Sequence, residues 1–352
     1  MPASPRAQPR ELIESLIARL IARLPAALVR ILAGRPIRID GQQLSAQAQL
    51  AVRLVELSGG HDYSALTPAE ARKRTRRDAR VVAGQRIEIP RVAELEIPGP
   101  AGALRARLYD PGKLAGAAPL IVYFHGGGHV VGDLDTHDQP CRYLAREVPA
   151  LVLAVDYRLG PEHRFPAAVD DALAAFRHAH SRAAGLGADP NRIAVAGDSA
   201  GGNLAAVVAQ LTLADGGPAP AFQALIYPVT DYSRVRGSRE LFAEGFFLTR
   251  RQMDWYRDRY LATVADRLDP RASPMLSGEL HGLAPAYVLT AGFDPLRDEG
   301  EAYAHALAAA GVEVTLRRES DLVHGFINAI GLGGRAEEAT AALAAAFRSA
   351  LS

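Results

Sequence analysis

The distribution of apolar residues changes character along the chain. Its middle and C-terminal parts contain short, almost fully apolar runs of strand length, separated by segments long enough for helices, such as 165–181 and Ala200–Ala214. Buried parallel strands that alternate with helices produce this pattern, because both faces of each strand are covered. The runs are PLIVYF at 119–124, ALVLAV at 150–155, RIAVAG at 192–197, FQALIYP at 222–228 and AYVLTAG at 286–292.

Two earlier segments, 92–99 and 103–110, alternate apolar and polar residues instead. This alternation predicts a strand pair with one solvated face. A last strand is predicted at 312–318, followed by an alanine-rich helix from about Arg335. We therefore expect an α/β fold over residues 91–352, with a mostly parallel central sheet flanked by helices.

Residues 1–90 show no strand-like alternation and predict a helical cap region. Thr67, Pro68 and Glu70 fit the N-cap, first turn and third position of a capping box. A second helical segment, at about 232–269, is inserted into the core, and Thr249 is its expected N-cap. The cap is thus expected to come from the N-terminus and from one internal insert.

The first predicted helix carries an apolar stripe. Glu11, Glu14, Arg19 and Arg23 interrupt it, which excludes a signal-peptide core and a membrane span. We expect the stripe to pack on the protein itself or on a second subunit; the alternative is a lipid surface, as in an interfacial lipase. Its residues are Leu12, Ile13, Leu16, Ile17, Leu20, Ile21 and Leu24.

Composition excludes several classes of function. Forty Lys and Arg nearly balance 39 Asp and Glu among the 352 residues, so no global field attracts nucleic acid. The basic run at 71–80 lacks interleaved aromatic residues, which favours a solvated helix face or linker over a nucleic-acid patch. Cys141 is the single cysteine, which excludes an intrachain disulfide and a thiol-rich zinc site and suits the cytoplasm.

The segment AVAGDSAGGNLAA at 194–206 has Ser199 at the centre of a GxSxG pattern, between a buried strand and a helix-forming run. A nucleophile elbow requires this context, because the strained turn leaves no room for side chains at Gly197 and Gly201. The helix N-terminus also directs free amide groups at a developing oxyanion. Ser199 is therefore the candidate nucleophile; the alternative is a tight structural turn with an idle serine.

Three consecutive glycines follow the strand at 119–124, after His125. Attack by serine on a carbonyl creates an oxyanion, and the turn after Ser199 supplies one good donor, the amide of Ala200. We expect Gly127 and Gly128 to supply further main-chain donors, since a loop without Cβ atoms approaches closely. A purely structural glycine turn stays open, whereas the spacing does not fit a phosphate-binding loop.

The base and the orienting acid are expected on loops after later strands, in the order serine, acid, histidine. Asp294 follows the run at 286–292, and His324 follows the strand at 312–318. Asp298 is better explained as a helix N-terminal charge, and Asp321 lies too close to His324 in sequence.

Two other histidines adjoin the glycines. His125 is expected to brace the loop, and His129 either lines the pocket or points away.

Five ordered motifs resemble the hormone-sensitive-lipase-like (bacterial family IV) carboxylesterases of the α/β-hydrolase fold. They span most of the chain from Val92 to its end: HGGG at 125–128, DYRLGPEHRFPAAVDD at 156–171, GDSAGG at 197–202, DPLRDE at 294–299 and HGF at 324–326.

The resemblance implies hydrolysis of small-molecule carboxylic esters with short to medium acyl chains, under a helical cap and without cofactor or metal. It puts the triad on Ser199, Asp294 and His324 and the oxyanion donors on Gly127, Gly128 and Ala200. Homodimers formed through the last core strand are common in the family.

His129 departs from the aromatic or apolar residue usual there, and the N-terminal region is longer than many family caps. The alternative functions are an interfacial lipase acting on longer chains and a non-catalytic binding protein.

Overall fold

The structure is a computed structural model that describes residues 9–57, 62–112 and 116–352, with side chains from Glu14 onward. Within these residues, eight strands form one sheet in the order β10-β9-β8-β7-β5-β6-β4-β3, and β1 and β2 form a separate hairpin. The strands are β1 Arg38–Ile39, β2 Gln42–Gln43, β3 Arg91–Gly99, β4 Gly102–Asp110, β5 Ala118–Phe124, β6 Leu151–Val155, β7 Ala188–Asp198, β8 Phe222–Ile226, β9 Ala286–Phe293 and β10 Val314–Val323.

The large sheet is mostly parallel, as expected. Strands β6, β5, β7, β8, β9 and β10 run parallel to their neighbours, whereas β3 and β4 pair antiparallel and β4 joins β6 antiparallel. All predicted strands are present, but β10 ends at Val323 rather than at the predicted residue 318. It forms one edge of the sheet.

Helices cover both faces of the sheet, which gives three layers. Val122 and Phe124 pack in the layer with α6, α8 and α11, while the alternating Ile121 and Tyr123 pack with α5 and α12. The α-helices of the described residues are α1 Pro9–Ala22, α2 Ala26–Ala33, α3 Ala46–Leu57, α4 Pro68–Val82, α5 Asp138–Glu147, α6 Ala167–Ser181, α7 Ala183–Leu186, α8 Ala200–Ala214, α9 Gly237–Leu241, α10 Arg250–Tyr260, α11 Arg297–Ala309 and α12 Arg335–Ala350. Shorter 3₁₀ segments occur at Ala265–Leu268, Pro274–Leu276 and Phe326–Leu332.

The expectation of a wholly helical N-terminal region is wrong at β1 and β2. Asp40 and Gly41 connect these strands with φ values of 53° and 71°. A two-residue hairpin turn of type I′ needs positive φ at both positions, and Asp-Gly is one of the dipeptides that adopt it most readily. The strands are two residues each, too short for alternation to reveal them.

The predicted capping box at Thr67 and the predicted N-cap at Thr249 are both present. Thr67 caps α4 and Thr249 caps α10, each with its side chain accepting the amide of the third helical residue. The basic run at 71–80 lies on α4, where Arg72 pairs with Glu162 and Arg76 with Asp133. These arginines tie the N-terminal region to the core.

Only part of the N-terminal apolar stripe packs on the protein itself. Ile21 and Leu24 contact a small cluster with α2 and α3, but Leu16, Ile17 and Leu20 are about half exposed. The side chains of Leu12 and Ile13 lie outside the described residues. Among the described helices, none has the length and apolarity needed to cross a membrane.

Candidate active site

Ser199 lies in a strained turn between β7 and α8. Its backbone has φ 56° and ψ −116°, a conformation that L-amino acids rarely adopt. A Cβ on Gly201 would overlap the carbonyl oxygen of Phe124, and one on Gly197 would overlap Gly201 itself. The predicted need for glycine on both sides of the serine therefore has a steric origin in this structure.

The structure brings the three predicted side chains into one hydrogen-bonded row. His324 Nε2 lies 3.0 Å from Ser199 Oγ, and His324 Nδ1 lies 2.7 Å from Asp294 Oδ2. Asp294 is fully buried, and its Oδ1 accepts the amide of Leu296 at 2.8 Å. Asp294 directly follows β9 and His324 directly follows β10; because these strands are parallel neighbours, their carboxyl ends meet.

The rival carboxylates have other partners. Asp298, in the first turn of α11, accepts the amide of Ser238 at 2.8 Å. Asp321 accepts from Arg335 Nε at 2.9 Å, which holds the start of α12 against β10. The arrangement leaves Asp294 as the carboxylate that orients His324.

The glycine loop lies against Ser199. Gly127 and Gly128 have φ values of 121° and 60°, and the carbonyl of Gly127 accepts the amides of Val130 and Val131, each at 3.0 Å. A Cβ on Gly127 would overlap the carbonyl of Val131, and one on Gly128 would overlap the ring of Tyr256. The loop therefore needs glycine for its own fold. Gly128, the last of the three glycines, also contacts Tyr256 of α10.

Ala200, the third predicted oxyanion donor, is the first residue of α8 and is fully buried behind Ser199. An amide at this position has no acceptor within its own helix. The sequence predicted this position for Ala200, in the first turn of α8 directly after Ser199.

A buried carboxylate that the sequence analysis did not single out links the two loops. Asp198 Oδ1 accepts the hydroxyl of Tyr123 and the amide of Gly126, both at 2.9 Å. His137 Nε2 lies 3.3 Å from Asp198 Oδ2. Burial raises the pKa of Asp198, but the charge and hydrogen bonds of its neighbours outweigh burial and lower it overall. The signal in the sequence was an acidic residue at the end of an otherwise apolar strand.

The two histidines beside the glycines are buried. His125 stacks on Tyr157 with ring centres 4.3 Å apart, and its Nδ1 lies 2.8 Å from the carbonyl oxygen of Gly126, so it braces the loop as expected. The ring of His129 stacks on that of Tyr260 with centres 3.8 Å apart, and His129 does not line the cavity. Burial lowers the pKa of His125 to about 4 and that of His129 to about 3.

A cavity of about 190 Å³ opens over Ser199 and His324. The N-terminal region contributes Tyr63 and Thr75 to its wall, and α10 contributes Gln252, Met253 and Tyr256. The N-terminal region and α10 therefore both help to enclose Ser199 and His324. Drug-sized ligands usually occupy pockets of about 300–1,000 Å³, so this cavity suits a smaller molecule.

The buried His129 predicts a measurable loss of stability in acid. Its pKa is lower in the folded protein than in the unfolded chain, so the unfolded state binds the extra proton and stability falls as the pH drops below about 6.5. From this one group we expect a loss of about 2 kcal/mol between pH 7 and pH 5. His129→Phe keeps the ring stacking and should reduce the loss measured by urea unfolding.

The exposed His305 on α11 offers a matched control. His305→Phe should leave the acid sensitivity of the wild type unchanged. Identical losses between pH 7 and pH 5 in wild type and His129→Phe would contradict the assignment.

Comparison with known proteins agrees with this geometry. A family model described as the alpha/beta hydrolase fold matches residues 121–328. The carboxylic ester hydrolase LipN of Mycobacterium tuberculosis is 48% identical over 336 residues, which cover 93% of this chain and 89% of that protein. The ethyl acetate hydrolase of Pseudomonas putida is 43% identical over 281 residues, covering 78% of this chain and 87% of that protein.

A solved ester hydrolase from the metagenome of Lake Arreo, in complex with a bipyridine phosphonate derivative, has the same fold. It superposes with a TM-score of 0.84 at 42% identity, covering 87% of this chain and 98% of that chain. On the evidence of its sheet, its motifs and these relatives, the chain belongs to the hormone-sensitive-lipase-like esterases of the α/β-hydrolase fold and is a carboxylic ester hydrolase.

Proposed function

We propose that the enzyme is a serine carboxylesterase that hydrolyses esters of short to medium acyl chains through an acyl-enzyme intermediate. The row from Ser199 Oγ through His324 to Asp294, with separations of 3.0 and 2.7 Å, carries this proposal. With its Nδ1–H donated to Asp294, the neutral imidazole presents Nε2 as the acceptor of the serine proton.

Acylation begins when Ser199 Oγ attacks the ester carbonyl and His324 Nε2 takes its proton. The negative charge that develops on the carbonyl oxygen is held by the amides of Gly127, Gly128 and Ala200. The C–O bond to the alcohol then breaks, and His324 returns the proton to the departing alkoxide. Asp294 stabilises the imidazolium that exists between these steps.

Deacylation repeats the sequence with water. His324 takes a proton from water as the water oxygen attacks the acyl carbon, and the same amides hold the second oxyanion. Collapse releases the carboxylic acid as the proton returns to Ser199 Oγ. The residues thus serve as nucleophile, base and donors in both halves, and no further group is needed to balance the reaction.

The size of the cavity supports the choice of acyl length. Its volume of about 190 Å³ and its aromatic wall, which includes Tyr63, Tyr232 and Tyr256, suit a compact ester. The name of the Pseudomonas putida relative, ethyl acetate hydrolase, describes an ester with a two-carbon acyl group. We therefore expect p-nitrophenyl acetate and butyrate to react with higher kcat/KM than the palmitate.

Ser199→Ala is the first test of the mechanism. It removes the nucleophile without disturbing the turn, so kcat for p-nitrophenyl butyrate should fall by at least about 10⁴-fold with an unchanged circular dichroism spectrum. Acid-quenched wild-type enzyme should carry an acyl group on Ser199 in a peptide mass spectrum. Retained turnover in the variant, or acylation at another residue, would refute the assignment.

Asp294→Asn tests the orienting carboxylate. The amide no longer stabilises the imidazolium and no longer fixes the imidazole tautomer, so kcat should fall about 10³- to 10⁴-fold. Asp298→Asn, four positions further along, is the matched control, because Asp298 bonds to Ser238 instead. Its kcat should stay within error of the wild type, and equal losses in the two variants would rule out the assignment to Asp294.

Gly127→Ala tests the glycine loop. The new Cβ would overlap the carbonyl of Val131 at a position with φ 121°, so the loop must shift its amides away from the oxyanion. Loss of one such donor lowers kcat by about 10²- to 10³-fold. Gly278→Ala, where a Cβ meets open space, should leave kcat unchanged. A Gly127→Ala enzyme with wild-type kcat would remove the loop from the mechanism.

A further inference from the structure

The N-terminal helices turn large apolar side chains toward solvent. Six residues on α1 and α2 form what we term the outer apolar face, and 46–72% of the surface of each is exposed. They are Leu16, Ile17, Leu20, Leu28, Ile31 and Leu32. Single exposed leucines are ordinary on protein surfaces, but six large apolar residues exposed on two successive helices are a candidate interaction surface.

The opposite sides of these helices are already packed. Val29 and Ala33 of α2 are buried with Leu50 of α3, and Ile21 and Leu24 pack against them. On α1, Ser15 is buried, and Glu14 pairs with Arg77 of α4. Both helices therefore already pack on the protein through other side chains, and the outer apolar face is the part of their surface that remains in contact with solvent.

Arginines accompany the face. Arg19 and Arg23 on α1, Arg30 on α2 and Arg35 just after it are all exposed. Within the described part of the chain, none of the four forms an ion pair. This contrasts with α4, where Arg72, Arg76 and Arg77 are each paired with a carboxylate.

We propose that the outer apolar face binds the surface of an anionic phospholipid bilayer. The leucines and isoleucines would enter the boundary between headgroups and acyl chains, and the four arginines would contact lipid phosphates. Helices that lie in a membrane interface combine these two features, apolar residues on one side and basic residues beside them.

The charge argues for lipid rather than a second copy of the chain. A symmetric dimer through this face would bring the same patch of each subunit together. The patch that faces Arg19, Arg23, Arg30 and Arg35 would then carry the same four arginines, and Glu14 on α1 is already engaged by Arg77. An anionic surface supplies the missing negative charge.

The face is close to the catalytic cavity. Helix α1 packs on α4 and on the 3₁₀ segment Phe326–Leu332, which contribute Thr75 and Asn328 to the cavity wall. A bilayer on α1 would thus be separated from that wall by about one helix diameter, roughly 10 Å. Binding itself does not depend on ester hydrolysis and is tested without it.

The experiment is co-sedimentation of the full chain with two kinds of vesicle, phosphatidylcholine alone and phosphatidylcholine with phosphatidylglycerol. We expect at least about tenfold stronger partitioning onto the anionic vesicles, weakened by high salt. The variant Leu16→Ser/Ile17→Ser/Leu20→Ser should lose most of this binding. Arg19→Gln/Arg23→Gln/Arg30→Gln should lose the preference for phosphatidylglycerol.

A matched control changes exposed apolar residues elsewhere. Val264 precedes the 3₁₀ segment Ala265–Leu268, and Leu268 is its last residue. Their surfaces are 70% and 62% exposed. Val264→Ser/Leu268→Ser should bind vesicles like the wild type, and all three variants should hydrolyse p-nitrophenyl butyrate at the wild-type rate, which verifies their folding.

Three results would overturn the proposal. One is the absence of wild-type binding to anionic vesicles, and another is equal binding by the wild type and the leucine variant. The third is a wild-type dimer in sedimentation velocity that the leucine variant dissociates while neither protein binds vesicles, which would assign the face to a second copy.

Discussion

Ser199 has a backbone conformation that the chain adopts only because its surroundings enforce it. The positive φ of Ser199 is fixed by three hydrogen bonds: its amide donates to Ile226 at 2.8 Å, and its carbonyl accepts the amides of Asn203 and Val229 at 3.1 and 3.2 Å. Gly201 then allows α8 to start against β5 without steric overlap. Strain of this kind, of order 1–3 kcal/mol, persists when several neighbours determine the geometry together. Each other element of the site is arranged around this fixed point.

Asp198 extends that constraint to the glycine loop. Its buried carboxylate precedes Ser199 and accepts hydrogen bonds from the amide of Gly126 and the hydroxyl of Tyr123. One anion at the end of β7 therefore binds both the end of β5 and the loop that follows it. A buried charge is tolerated when hydrogen bonds satisfy it. Removing one of its partners destabilises the protein by more than the whole set of bonds stabilises it, because an uncompensated charge is then left buried. The glycine loop, which carries the proposed oxyanion donors Gly127 and Gly128, is therefore held in place by the residue that precedes Ser199.

The sequence predicted those parts of the molecule that local pattern encodes. Buried strands appear as apolar runs. The start of α4 appears as a capping box at Thr67 and that of α10 as an N-cap at Thr249. The order of motifs places Ser199, Asp294 and His324 after β7, β9 and β10. The missed features depend on tertiary packing. The contact of Tyr256 with Gly128 joins residues far apart in sequence, and neither neighbourhood indicates it. The Asp40–Gly41 hairpin did have a local signature, the Asp-Gly dipeptide, but its strands are too short for periodicity to reveal.

The distribution of arginines explains why sequence runs and net charge are poor guides to the surface of this protein. The densest basic run lies on α4, yet its arginines face carboxylates of the core and of α1, so their charge is neutralised within the molecule. The arginines of α1 and α2 form no basic run in the sequence, but they remain exposed beside apolar side chains. A chain with 40 basic and 39 acidic residues is thus balanced overall and asymmetric locally. Because screening limits electrostatic reach to about 10 Å, the local asymmetry decides what the N-terminal helices attract.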